Sequence, residues 1–517
     1  MSDWSAGYVS EIGYTFGYYK QLGVNNVQLS LLHRGYAMPR IETALELGFG
    51  QGVSTNIHAA AGSVQWWGTD FNPSQAAFAR TLAQASGAHV TLMDYSFEEL
   101  LAAEDLPQFD YIALHGIWSW ISHENRSVIV DVLKSKLNVG GVLYISYNTL
   151  PGWSGFAPMR HLMTEHAEIL GAEGKGVITR IGEAVTFAKD LLAVNPKYAA
   201  AAHGLSDKID RIQTQPPHYL AHEYFNRDWH PMYFAEMADW LREAKLDYVA
   251  SANCLNHLDF INLTADQQAF LNDIPDRYFR ESVRGMIVNE QFRAEYWVKG
   301  PIALTGLEQA EQLRATQILL TVPQADVTNT ITGALGEATL SEELYDPIVD
   351  LLSDHQRRTI EDVERALSDQ SSGDVVFDLP KIVQAIIVLV GAGYVSLVQD
   401  SATEEVARPR TDALNRFLFN KARSSSDVNW LASPVTGEGI AANRFEQMFT
   451  ASYIHGSNSA SEWAEEVWSI LEAQGHRVIL EGQQLESAEE NIEEITRLAE
   501  EFESKRLPIF RALGIVT

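Results

Sequence analysis

Residues 44–54 read ALELGFGQGVS: a short apolar run interrupted by Glu46, then Gly48, Gly50 and Gly52 at alternate positions, then a helical pattern. A loop of this kind between a strand and a helix can hold a ligand on its backbone, because glycine lets the main chain pass where a Cβ would collide. Two ligand chemistries compete for it, the pyrophosphate of a dinucleotide or a smaller cofactor with a ribose and no phosphate. The dinucleotide fingerprint G-x-G-x-x-G requires glycine at position 53, where Val53 stands. A phosphate-binding loop requires Gly-Lys-Ser/Thr, and no lysine follows.

Eighteen residues beyond Gly52, Asp70 closes the run VQWWGTD (64–70), with Phe71 next to it. An acid at the end of a second strand can accept from both ribose hydroxyls of an adenosine. Asp94 closes the third strand pattern in LMDYSFEEL (92–100), where it can accept from the adenine amino group with Tyr95 and Phe97 beside the ring. One acid at a strand end also reads as a cap of the next helix. Three acids, Glu46, Asp70 and Asp94, after three successive strands weigh for a common pocket.

Working outward, strand patterns at 43–47, 64–69, 89–93, 109–114 and 142–147 alternate with helical patterns near 54–61, 74–86, 97–103 and 124–137. Asn72-Pro73-Ser74 predicts a helix start and Asn138-Val-Gly-Gly141 a helix stop. This order predicts an α/β, Rossmann-like, doubly wound sheet whose ligands lie beyond the carboxyl ends of the strands. Strand patterns at 246–252 and 292–298, after a helix at 233–244, return to that sheet and bring it to seven strands. Residues 156–215 carry amphipathic helical patterns only and predict an inserted cap or a dimerisation element, the second of which would give a homodimer.

From about 301 the chain reads as mainly α, and 359–367, 380–390 and 394–398 suit two helices and the wing of a winged helix; with no basic reading surface on it, a docking or partner-binding domain is the favoured role. Ser424–Ser426 reads as a loop, and Ile492, Ile495, Leu498 and Phe502 form the apolar stripe of a closing surface helix.

The formal charge of −30 argues against nucleic acid as a partner, since phosphate binding needs clustered Lys and Arg. Such acidity serves solubility and can also attract a cationic substrate. The apolar run 382–398 is short and broken by Gln384, Gly391 and Gly393, so no membrane span is expected. The single cysteine, Cys254, reads as a core residue and suits a reducing, cytoplasmic compartment. No metal is expected: His218, His222 and Glu223 do not continue into H-E-x-x-H, because position 226 is Asn.

The E-x-G-x-G-x-G loop with its following acids resembles class I S-adenosylmethionine-dependent methyltransferases. The strings LELGFGQG (45–52), DYIALHGIWSWI (110–121), YISYNTLPGW (144–153), HYLAHEYFNRDWHPMYFAEM (218–237) and FESKRLPIFRALGIV (502–516) are similar to the branch that carries a methyltransferase regulatory domain. The resemblance implies a cofactor-binding core over 1–155, a helical insertion over 156–216 and a regulatory segment over 217–300. A middle domain over 301–423 and a C-terminal domain over 424–517 complete it. It implies S-adenosylmethionine as cofactor, held by Glu46, Gly48, Gly50, Gly52, Asp70, Phe71, Asp94, Tyr95 and His115. Relatives of this layout include bacterial lysine methyltransferases acting on surface proteins, so the expected acceptor is a lysine-bearing protein. A small-molecule or glycan methyltransferase, and an inactive scaffold retaining the fold, are the alternatives.

Methyl transfer from a sulfonium is an in-line displacement that depends on aligning the nucleophile and removing water. At the end of the fourth strand, His115 and Trp118 stand where amino-group methyltransferases place a polar residue and an aromatic. His115 either accepts the amine proton or shapes the loop. A lysine amine ionises near pH 10.4, and desolvation by Trp118, Trp120 and nearby tyrosines would lower that value. Tyr147 and Asn148 end the fifth strand, either at the reactive edge or as anchors of the turn into Pro151-Gly152. Tyr14, Tyr18 and Tyr19 precede the first strand, where this fold class folds a lid over the cofactor.

Overall fold

The computed structural model describes residues 15–202, 204–370 and 377–516. A first helix, α1 (Val24–His33), leads into strand β1 (Thr43–Leu47). The chain then alternates through α2 (Val53–Ala61), β2 (Gln65–Thr69), α3 (Pro73–Ser86), β3 (Val90–Met93), α4 (Phe97–Ala102), β4 (Phe109–Leu114), α5 (His123–Lys136) and β5 (Leu137–Asn148). Strands β6 (Asp247–Ser251) and β7 (Phe292–Val298) return after the helical insertion and complete a seven-stranded sheet in the order β3-β2-β1-β4-β5-β7-β6. The pairs among β1 to β5 are parallel, whereas β7 runs antiparallel between β5 and β6.

Successive strand residues point to opposite faces, and both faces are covered. Tyr111, Ala113, Val142, Tyr144 and Tyr296 share one apolar core with Val27 and Leu31 of α1. Leu45, Leu47, Ile112, Leu114, Leu143, Ile145 and Trp297 share another with Ile129 and Leu133 of α5. Strand order reverses between β1 and β4, which opens a crevice at their carboxyl ends.

Local chemistry sets the loops at that edge. Asn72 caps α3 by accepting from the Ser74 N–H at 3.0 Å, with Pro73 in the first turn. Ser96 and Glu99 form a reciprocal capping box at α4. Helix α5 ends at Lys136, close to the stop expected at 138–141, but that stretch is extended and not a turn: α5 passes directly into β5. There the Gly140 N–H donates to Lys299 O at 2.8 Å, and the Lys299 N–H donates to Gly141 O at 3.0 Å. Two glycines that read as a turn thus extend the strand along its antiparallel neighbour.

The insertion folds as α6 (Ala157–Ile169), α7 (Val177–Ala193), α8 (Lys197–Ala201), α9 (Leu205–Gln213) and α10 (Pro217–Tyr224), closed around Met163, Ile181, Val185, Ile209 and Leu220. Helix α11 (Phe234–Arg242) then lies on the sheet.

In the middle region, strands Gln317–Leu320, Arg358–Thr359 and Val395–Leu397 form a small antiparallel sheet, packed with helices Ile360–Leu367 and Leu379–Gly391. The wing expected at 394–398 is an edge strand of that sheet. Cys254 is buried in the same core, beside Leu29 and Leu32 of α1. The helix Ser401–Ala422 lies against α2 and α3 and carries one apolar core from Val53, Ile57 and Leu82 through to Trp463, Phe502 and Phe510. The loop at Ser424–Ser426 joins it to strand Trp430–Ser433, and the final long helix, Ala488–Glu501, buries Ile495 and Ala499. Among the described residues no helix is long and apolar enough to cross a membrane.

Candidate functional site

A cavity of about 340 Å³ opens where β1, β2, β3 and β4 end, and another part of its wall is built from residues 222–228, at the end of the insertion and just beyond it. A volume of this order suits a small-molecule ligand. The loop after β1 is its floor. Gly48 has φ +73°, and a Cβ there would lie 2.4 Å from Ile117 Cδ1. Gly50 has φ +57° and donates its N–H to Asp70 Oδ2 at 2.8 Å. Gly52 differs: it starts α2 at φ +68°, and its missing Cβ would lie 2.5 Å from Ala79 Cβ. Gly52 therefore allows α2 and α3 to approach, and it does not line the cavity.

Glu46 and Asp70 both reach the cavity and are nearly fully buried. Glu46 accepts from the Thr55 hydroxyl of α2, and burial pushes its carboxyl up to about 7. Asp70 accepts from the Gly50 and Asn72 N–H groups, at 2.8 and 3.0 Å. Burial raises its carboxyl to about 6 against the pull of those bonds. With its amide nitrogen turned inward, Gln75 donates to Asp70 Oδ1 at 3.1 Å. Phe71, Tyr95 and Phe97 supply aromatic walls beside Asp70.

Asp94 is elsewhere. Its carboxylate pairs with Arg80 Nη2 of α3 at 2.9 Å, half-exposed and outside the cavity lining. Arg80 also donates from Nε to Leu92 O at 3.0 Å, so the arginine fastens the end of β3 and holds Asp94 on the outer side. Two of the three expected carboxylates share the cleft, and the third closes a surface ion pair.

At the end of β4, His115 lines the cavity. Its Nδ1 is 2.7 Å from the Tyr144 hydroxyl, and Ser146 Oγ accepts from the Gly116 N–H at 2.8 Å, so β5 fixes the 115–117 turn. Burial lowers the imidazole to about 4, which keeps it neutral at physiological pH. Tyr19 stacks on it, with centroids 3.6 Å apart and planes 29° from parallel.

Several expected site residues face other ways. Trp118 is fully buried, donating from Nε1 to Met232 Sδ at 3.3 Å and meeting Trp240 edge-on. Trp120 lines the cavity instead. The two stand in one 3₁₀ turn, where side chains two residues apart diverge widely. Tyr147 is buried with its hydroxyl 3.3 Å from Glu295 Oε2, on the face of β5 opposite Tyr144 and Ser146. Asn148 donates its N–H to Ser119 Oγ at 2.8 Å and accepts from the Met232 N–H, as an anchor of the turn. Tyr18 is buried against His58 and Trp430, away from the cavity, and Tyr14 lies outside the described residues.

Sequence reasoning did not assign Gln75, Glu223 or Asp228 to the site, although all three line it. Glu223 carried a signal: it is an acid on α10 between the buried Leu220 and Ala221 and the buried Tyr224.

The cradle fits S-adenosylmethionine. Gly48 leaves space that a Cβ would fill, Asp70 keeps lone pairs for ribose hydroxyls, and aromatic rings flank the adenine side. Among the described residues no group of three or more His, Cys, Asp or Glu side chains is gathered for a metal ion.

Comparison with known proteins agrees with this geometry. Residues 44–141 match the family model described as a methyltransferase domain, and residues 216–299 match the predicted methyltransferase regulatory domain. The chain is 36% identical to the uncharacterized protein sll1526 of Synechocystis sp., covering 99% of each. It is 23% identical to the uncharacterized protein RP789 of Rickettsia prowazekii, covering 90% of this chain and 86% of that one. Among solved structures, PKMT2 from Rickettsia typhi in complex with AdoHcy shares the fold at a TM-score of 0.71 and 20% identity, over 97% of this chain and 100% of that one. With both domains matched, a relative similar over its full length, and a glycine floor beneath Glu46 and Asp70, the chain belongs to the class I S-adenosylmethionine-dependent methyltransferases that carry a methyltransferase regulatory domain.

Proposed function

We propose that this methyltransferase acts on an amine, the side chain of lysine in a protein. One observation carries the reading: among the described residues the cavity is lined by five carboxylates, Glu46, Asp70, Glu98, Glu223 and Asp228, and by no lysine or arginine. A cleft of one charge sign with apolar walls concentrates ligands of the opposite sign, and both a sulfonium and a lysine ammonium are cations. An anionic acceptor would meet repulsion there. Bound in the cradle, S-adenosylmethionine supplies an activated methyl group. Tyr19, His115, Trp120 and Ile121 surround the end of β4 and exclude water from the reacting groups. The structural likeness to PKMT2 over nearly the whole chain is consistent with a protein acceptor.

The test is transfer of radiolabelled methyl groups from S-adenosylmethionine into a bacterial lysate, resolved by size and then hydrolysed to amino acids. Label recovered as methylated lysine in protein bands supports the reading. Label confined to small molecules or glycans replaces it with those acceptors, and absence of cofactor binding in titration calorimetry replaces it with a scaffold.

A further inference from the structure

We propose that Glu223 is the proton acceptor for the incoming amine. The inference rests on the amine-acceptor reading above and assigns its missing base. Glu223 stands on α10 and lines the same cavity as His115, together with His222, Asn226 and Asp228. Tyr219, one turn earlier on the same helix, interacts electrostatically with both Glu223 and Tyr19, and Tyr19 lies on His115. Glu223 therefore belongs to the wall that faces the reactive edge.

The other buried acids of the cleft are already engaged. Glu46 accepts from Thr55, and Asp70 from two backbone N–H groups; Asp228 meets Arg227 and His230 at 3.1 and 3.4 Å. Among the described residues no hydrogen bond or ion pair holds the Glu223 carboxylate. A largely buried, unpaired acid is costly, and its retention in a ligand cavity points to a partner that arrives with the substrate.

Burial alone pushes Glu223 up to about 7, while His115 is held at about 4. As proton acceptors the two differ about a thousandfold in favour of Glu223. The titratable groups that interact electrostatically with Glu223 are Tyr219 and Tyr224 on α10; His222, Asp228, Tyr19 of the amino-terminal segment and His115 after β4 share its cavity. Arg211 of α9 acts on Tyr224. In the step, one Nζ proton of the lysine ammonium moves to a Glu223 oxygen. The freed Nζ lone pair then forms the bond to the methyl carbon as the carbon–sulfur pair returns to sulfur. Glu223 passes its proton to water afterwards.

The experiment compares wild type with Glu223→Gln on whichever acceptor takes label in the lysate assay, with poly-L-lysine as a second probe. The variant is expected to bind S-adenosylmethionine within about twofold of wild type by calorimetry and to turn over about 10²-fold more slowly, in the range for loss of a general base. Wild-type kcat/KM should rise through about pH 7 and stay level until lysine ionises near 10.4. In E223Q it should instead climb about tenfold per pH unit across that range. A protonated-carboxyl band that titrates near neutrality in difference infrared spectra of wild type should be absent from the variant. Turnover within about twofold of wild type, or an equal loss of cofactor binding, overturns the assignment. Should E223Q not fold, a wild-type profile without a break near pH 7 overturns it equally. A wild type that labels a small amine and no protein sinks the lysine reading alone, because the Glu223 comparison is then run on that amine.

Discussion

Tyr19 lays its ring on the imidazole of His115, with 3.6 Å between centroids, at the point where β4 ends and the cleft begins. A stacked pair of this kind contributes about 0.5–1.5 kcal/mol beyond its buried area. Tyr19→Phe keeps the stack and should leave turnover near wild type. Tyr19→Ala should lower kcat/KM about three- to tenfold in steady-state assays, and an unaffected Y19A would show that the contact has no role in the reaction.

Gly48→Ala places a methyl group 2.4 Å from Ile117 Cδ1 in a left-handed backbone position. The backbone term alone costs about 1–2 kcal/mol, so the dissociation constant for S-adenosylmethionine should rise at least about fivefold in calorimetry. Pairing G48A with Ile117→Ala should recover only the steric part of that loss. Full recovery would assign the whole effect to the side-chain clash.

Asp70 and Glu46 set a pH dependence. Both carboxyls are raised by burial, to about 6 and about 7. The folded, ligand-free chain therefore holds protons that the unfolded chain has released. The stability this contributes is complete below the unfolded carboxyl range and is lost as pH rises through about 6 and 7. Buried His58, His115 and His257 are shifted down and act in the opposite sense below about pH 6.5, so the window from about 7 upward isolates the acids. At about pH 8, Glu46→Gln should raise the stability of the ligand-free protein by about 3 kcal/mol in denaturant titration. Cofactor binding should release protons near pH 6–7, visible as a dependence of binding heat on buffer ionisation. A buffer-independent heat would contradict ionised Asp70 as the ribose acceptor.

Tyr18→Ala removes a ring buried among His58, Trp430 and Gly439. Truncations of this kind cost about 2–5 kcal/mol, read as a lower denaturant midpoint. Because Tyr19 is the next residue, cofactor affinity should fall too, although Tyr18 touches no part of the cleft. Unchanged affinity in a destabilised Y18A would mean that Tyr19 is held independently.

The sheet was legible in the sequence because the buried parallel strands β1 and β4 leave dense apolar runs and the antiparallel β7 an alternating one, and all three begin and end where their patterns do. The start of β5 was hidden by Gly140 and Gly141, whose turn-like chemistry is overridden by pairing with β7. Within the site, the neighbourhoods were legible and the facing was not. Trp118 turns inward and Trp120 outward; Tyr147 faces the core while Tyr144 and Ser146 meet His115; Tyr18 is packed away and Tyr19 lies on the cleft. A shift of one residue exchanges the faces of a strand, and local patterning cannot fix that phase where both faces are apolar. Glu223 was hidden for another reason. Its position over the cleft depends on how a helix of the insertion folds back on the sheet, which no local pattern encodes.

One peptide bond separates the ring that covers the imidazole from the ring sunk into the carboxy-terminal third of the chain. The cover of the pocket and the core of the tail thus meet in two adjacent residues of one short segment. Cutting the tail away would bare the apolar bed of Tyr18 right beside the residue that roofs the cleft.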